Sequence, residues 1–231
     1  MENKLITRIV HWLIIIAIPF LLTTAAVRIL MAWDTPSYPE FAYPRIAPDQ
    51  FGFTDAERLD LANATMAYLR RSEPADEVIY LLEELRLPNS VKSLYTTTEI
   101  GHMLDVKIVA DAFSRVMWIT VVIIVGGATF LFARPETRSL GALAIQRGGK
   151  YTAVIVITVI IFIGIAWNLV FTLFHNILFP PGTWTFAYSD SLIRLFPEQF
   201  WFMFGLLWTG SILLGSILLG IVGSHLHKKW T

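Results

Sequence analysis

Apolar and polar residues along this chain are gathered into blocks instead of alternating at a short period. Residues 9–27 contain no Asp, Glu, Lys or Arg. At 1.5 Å rise per residue such a helix reaches about the ~30 Å of a bilayer's hydrocarbon core, so it is the first expected span. Residues 116–133 form a second uncharged stretch, stopped by Arg134 and Pro135. From Tyr151 to Ser189 there is again no formal charge, but Pro180 and Pro181 must end any helix, which predicts a third span over 151–175. The fourth covers 200–224, where Gly205, Gly210, Ser211, Gly215, Ser216 and Gly220 would let neighbouring helices approach closely. The pattern predicts an all-α, polytopic membrane protein with four transmembrane helices in one domain spanning 1–231.

The pattern changes between the first two spans. Thr54-Asp55-Ala56-Glu57 is a capping-box sequence, followed by Leu59, Ala62, Met66 and Leu69 on one stripe. A second helix is expected over 76–86, burying Val78, Leu81, Leu82 and Leu85 and stopped by Pro88. A third begins near Thr98 and continues through Glu99, His102, Asp105 and Val106 toward the second span. Residues 28–115 hold 14 acidic and 9 basic side chains, and with 176–199 they are read as a small helical extracellular cap.

Charge placement gives the membrane sides. Lys4 and Arg8 precede the first span, Arg134, Arg138, Arg147 and Lys150 fill the second connection, and Lys228 and Lys229 follow the fourth. Only Arg194 lies in the short connection between spans three and four, so both termini are expected in the cytoplasm. A cleaved signal peptide is the other reading of the first segment, but its apolar run exceeds the ~7–15 residues usual for one, which favours an uncleaved span.

Composition sharpens this picture. Only 16% of residues are charged, 55% are apolar and the mean hydropathy is +0.59, far from the ~25% charge of a soluble domain, which excludes a soluble enzyme. Eighteen basic residues balance 18 acidic ones, so no net field attracts nucleic acid. With no cysteine there is no disulfide, thiol nucleophile, Fe–S cluster or Cys-ligated zinc.

Five histidines remain as candidate chemistry. His11, His225 and His227 sit at the cytoplasmic ends beside basic residues and read as interfacial groups, whereas the topology brings His102 and His175 to the same outer depth. On a helix, Glu99, His102 and Asp105 follow at i, i+3 and i+6, so two carboxylates are expected to flank and polarise one imidazole. Ten aromatic residues lie between Phe174 and Phe204, with Asp190, Arg194 and Glu198 threaded through them. No nucleophile elbow, zinc-protease helix, Walker loop or dinucleotide fingerprint is present. Two histidines without a third or a compact ligand motif make neither a metal nor any other cofactor the expectation. These residues alone leave three readings open: an enzyme of lipid-ester chemistry at the membrane surface, a membrane lipid or peptide hydrolase, and a membrane protein that only binds a partner.

The segments Glu99-Ile-Gly-His102-Met-Leu-Asp105-Val-Lys107, Phe174-His175-Asn-Ile-Leu-Phe179-Pro and Trp184-Thr-Phe, continued by Asp190-Ser-Leu-Ile-Arg194-Leu-Phe-Pro197 and Phe200-Trp201, resemble the bacterial lipoprotein intramolecular transacylase family, Lit. The resemblance covers essentially the whole chain. It implies a multi-pass bacterial cell-membrane acyltransferase that moves the sn-2 acyl chain of a lipoprotein's diacylglyceryl group to the α-amine of the N-terminal cysteine, giving the lyso form. It also implies that His102 and His175 are catalytic at the outer-leaflet surface, supported by Glu99, Asp105, Asp190 and Arg194. Phe174, Phe179, Trp184, Phe200 and Trp201 would wall the substrate pocket. A monomer acting on diacylglyceryl lipoproteins among membrane lipids, without nucleic acid, is the expected working form.

Overall fold

The computed structural model describes residues 2–231. Among these, the regular elements are helices, accompanied by two isolated β-bridges. In chain order they are α1 (Glu2–Ala32), α2 (Tyr38–Ala42), a 3-10 turn (Tyr43–Arg45), α3 (Asp55–Arg70), α4 (Ala75–Val78), α5 (Tyr80–Glu83), α6 (Thr97–Phe132), α7 (Pro135–Ile165), α8 (Trp167–Leu178), α9 (Ser191–Leu195) and α10 (Glu198–Trp230). Four of them, α1, α6, α7 and α10, are long and apolar enough to cross a membrane.

The third expected span differs from the observed helices. Instead of one helix over 151–175, α7 starts at Pro135 and stops at Ile165, and Ala166 leaves the helical region with φ −146° and ψ 46°. His175 therefore belongs to a separate helix, α8. The helix expected over 76–86 is likewise divided into α4 and α5, although Val78 and Leu82 are buried as anticipated.

The chain forms two compact units. The first contains residues up to 28, 113–165 and 206–231. Ile14, Ile15 and Ile18 pack with Leu131 and Ala144, and Ala26 packs with Val156 and Ile212. In lipid there is little hydrophobic drive between helices, so close van der Waals fit must hold them together. Gly149 permits that fit: a Cβ there would lie 2.6 Å from the backbone N of Gly220 and the O of Ser216. At Gly223 it would strike the backbone N of Gln146. Beside these contacts Gln146 Nε2 donates to Ser224 Oγ at 2.7 Å, and Trp208 Nε1 donates to the Thr23 carbonyl at 2.9 Å. His11 is buried, its Nδ1 3.0 Å from the Leu140 carbonyl, so it ties helices together instead of facing an interface.

The second unit contains residues 29–112 and 166–205. Thr54 caps α3 as its sequence predicts, its hydroxyl accepting Glu57 N–H while Glu57 Oε2 accepts Thr54 N–H at 2.9 Å. Ala62, Met66 and Leu69 are buried along the predicted stripe. The Lys107 side chain is fully enclosed, which would be costly without partners; it donates to the Arg71 carbonyl at 2.9 Å and to both Asp111 oxygens at 3.0 and 3.1 Å. Main-chain carbonyls of 194–200 accept bonds from distant side chains. Tyr38 donates to Phe200 O at 2.8 Å, Tyr43 to Leu195 O at 2.9 Å and Arg58 Nε to Arg194 O at 2.9 Å. Those three bonds fix the segment that follows the aromatic loop.

Candidate active site

His102 is reached from the start of α6. Thr96 precedes that helix, its hydroxyl accepting Glu99 N–H at 3.3 Å while Glu99 Oε2 accepts Thr96 N–H at 2.7 Å, a reciprocal cap that places the first turn. His175 lies in the last turn of α8, which Phe179 closes by donating its N–H to the His175 carbonyl at 2.8 Å before Pro180 interrupts the helix. The chain then turns at Gly182, whose φ of +82° suits glycine, and continues to Trp184.

These elements bring the two imidazoles together. Their ring centroids are 6.3 Å apart, with planes inclined by 23°. Phe179 lies 4.9 Å from His102 and 5.5 Å from His175, Phe186 lies 5.4 Å from His102, and Phe171, Trp184 and Phe174 lie 4.1, 4.9 and 5.5 Å from His175. The two titratable rings therefore share an aromatic chamber. His102 is only 7% exposed, and its Nδ1 is buried without a hydrogen-bond partner. His175 is half-buried, with Nδ1 2.8 Å from the Phe171 carbonyl. Because a carbonyl can only accept, that contact assigns the hydrogen to Nδ1 and leaves the lone pair of the neutral ring on Nε2.

The other expected site residues divide between the chamber and its supports. Phe174, Phe179 and Trp184 line the imidazoles. Phe200 and Trp201 instead belong to a neighbouring aromatic cluster with Tyr38, Phe196 and Phe204. The expected flanking of His102 by carboxylates takes a different form. Buried Glu99 accepts the Leu192 N–H at 2.7 Å with Oε1, so both of its oxygens hold main chain instead of the imidazole. Asp105 is partly buried, and His102 Nδ1 donates to neither carboxylate. Asp190 accepts Ala187 N–H at 2.9 Å and shapes the loop.

Arg194 is also a support. It pairs with Asp49 through Nε at 3.1 Å and Nη2 at 2.9 Å, and its guanidinium lies 3.4 Å from the Phe53 ring centroid. Burial alone would raise the Asp49 carboxyl, but Arg194 and the Phe53 and Phe51 N–H groups outweigh it and hold the group below its ordinary range. Phe171 and Phe186 were absent from the sequence-derived pocket; the i−4 spacing of Phe171 from His175 is the one signal that points to either. Among the described residues, no three His, Asp or Glu side chains converge as a metal site would need.

Comparison with known proteins adds the following. The family model described as lipoprotein intramolecular transacylase Lit matches residues 12–201. An uncharacterized protein of Aquifex aeolicus (strain VF5) is 28% identical, the match covering 96% of this chain and 97% of that protein. The solved structure of the membrane-integral lipoprotein intramolecular transacylase Lit from Bacillus cereus has a TM-score of 0.71 at 22% identity, covering 98% of both chains. A variant of that Bacillus cereus protein with one histidine replaced by alanine gives a TM-score of 0.69 at 22% identity, covering 99% of this chain and 96% of that one.

Proposed function

Because the chain belongs to the lipoprotein intramolecular transacylase family Lit, we propose that His175 and His102 are the pair that carries its acyl transfer. The protein is a multi-pass membrane acyltransferase. Its reaction moves the sn-2 acyl chain of a diacylglyceryl lipoprotein to the α-amine of the N-terminal cysteine. The observation that carries the assignment is the 2.8 Å contact between His175 Nδ1 and the Phe171 carbonyl.

Aminolysis of an ester needs a group that removes a proton as the C–N bond forms and returns one as the C–O bond breaks. His175 Nε2 takes the amine proton and passes it to the departing glyceryl oxygen, so the ring ends the turnover in its starting form. The unpartnered His102 Nδ1 accepts the remaining amine N–H and orients the nucleophile. The ester and amine belong to one substrate, so the aromatic chamber acts mainly by folding them together, where effective molarity contributes about 7–11 kcal/mol in well-oriented cases. Glu99, Asp190 and Arg194 act as supports of the chamber, and one chain suffices because both imidazoles come from it.

The charge asymmetry supports cytoplasmic termini, with 28–115 and 176–199 outside and the reaction at the outer-leaflet surface. The deciding experiment incubates the purified protein with a synthetic diacylglyceryl lipopeptide bearing a free amine and analyses the product by tandem mass spectrometry. The expected result is unchanged mass with one acyl chain on nitrogen. Loss of an acyl chain as free fatty acid would mean hydrolysis and would overturn the proposal.

A further inference from the structure

We propose that the indole N–H of Trp184 is the donor that holds the acyl carbonyl oxygen as it becomes an oxyanion, an inference that rests on the transacylase reading of the chamber. Trp184 Nε1 is buried and has no hydrogen-bond partner. An indole nitrogen can only donate, and a buried donor left unpaired is destabilising, so it calls for an acceptor that arrives from outside the chain. Trp208 by contrast donates to the Thr23 carbonyl, and the other buried unpartnered indole, Trp167, packs on Phe171 and Phe202.

Position and complementarity identify the acceptor. The Trp184 ring lies 4.9 Å from His175, which itself stands 6.3 Å from His102. The chamber thus contains a lone pair on His175 Nε2, an unpartnered ring nitrogen on His102 and an unpartnered N–H on Trp184. Attack by the amine nitrogen forms the C–N bond and moves the carbonyl π electrons onto oxygen. That oxygen takes the Trp184 N–H. Collapse restores C=O and breaks the bond to the glyceryl oxygen, which receives the proton that the amine gave up. Only the acyl oxygen gains negative charge at a centre that keeps no proton, so a donor-only group that pairs with it there stabilises the transition state more than the ground state.

The test compares wild type with Trp184→Phe, using the synthetic lipopeptide with its sn-2 ester either normal or as the thionoester, in which sulfur replaces the carbonyl oxygen and accepts hydrogen bonds weakly. Removing one oxyanion donor typically lowers kcat by about 10²–10³-fold, and that loss is expected with KM nearly unchanged. Wild type should react more slowly with the thionoester by a similar factor, and Trp184→Phe should lose most of that discrimination. Replacement of Trp184 by β-(3-benzothienyl)alanine keeps the ring shape and removes only the N–H; it repeats the experiment should Trp184→Phe fail to fold. Either folded variant with kcat within threefold of wild type, or with a lower kcat but undiminished discrimination, would overturn the inference. Absence of acyl transfer by wild type itself would instead sink the transacylase reading, so the two failures are distinct.

Discussion

The Glu99 carboxylate accepts the main-chain N–H of Leu192 at 2.7 Å, joining positions 93 residues apart in sequence. Its second oxygen caps α6 through Thr96. Glu99→Gln keeps one acceptor oxygen and exchanges the other for a donor, so one of the two main-chain bonds is lost. The expected cost is about 1–3 kcal/mol of stability, with kcat per folded molecule close to wild type. Thermal unfolding and turnover measured on the same preparation check this. A shifted pH–rate profile at unchanged stability would show that Glu99 polarises His102 after all.

His175→Ala is expected to lower kcat/KM by about 10²–10⁴-fold, the usual effect of losing a proton-transfer group, and His102→Ala to lower it less, because His102 orients the amine without taking its proton. Two rings 6.3 Å apart that act on one substrate do not contribute independently. The double variant should therefore be only slightly slower than the poorer single variant. Cleanly multiplicative losses, in protein shown to be folded, would separate the two histidines functionally.

Asp49 makes folding of its loop sensitive to acid. Its carboxyl lies below the ordinary range in the folded protein, so it adds stability above the unfolded-state value near ~3.9 and loses that contribution as pH falls through its lower folded value. Asp49→Asn should be less stable than wild type at pH 7, and the two melting curves should approach each other below about pH 4. A gap that widens on acidification would contradict the Arg194 pairing as its source.

Topology can be read with single cysteines, because the chain contains none of its own. Asp60 and Glu136 are both exposed on the protein surface. Asp60→Cys should react with an impermeant maleimide in intact cells, and Glu136→Cys only after permeabilisation. The reverse pattern would invert the membrane orientation.

Features set by local pattern were legible in the sequence. The uncharged blocks announced α1, α6 and α10, Thr54 and Glu57 announced the start of α3, and the depth argument paired His102 with His175, whose rings do meet. Features set by partners far along the chain were not. Glu99, Asp105 and His102 share a face, but sequence spacing cannot reveal that Leu192 supplies a better N–H for Glu99. Arg194 was legible as a supporting residue, but its partner Asp49 lies 145 residues away, where sequence spacing gives no signal. The break at Ala166 lies inside an apolar run without proline, so hydropathy continued straight through it.

The His175 tether is written into the fold more durably than a side-chain partner would be. A carboxylate that orients an imidazole can be removed by one codon change, whereas the Phe171 carbonyl is main chain and does not depend on the side chain at that position. Phe171→Leu would keep the acceptor, as would any substitution that leaves α8 helical. A change at that position can reshape the chamber wall while the Nδ1–H tautomer of His175 is kept. Loss of that orientation requires unwinding a turn of α8, so ring placement and wall shape are set by separate parts of the same helix.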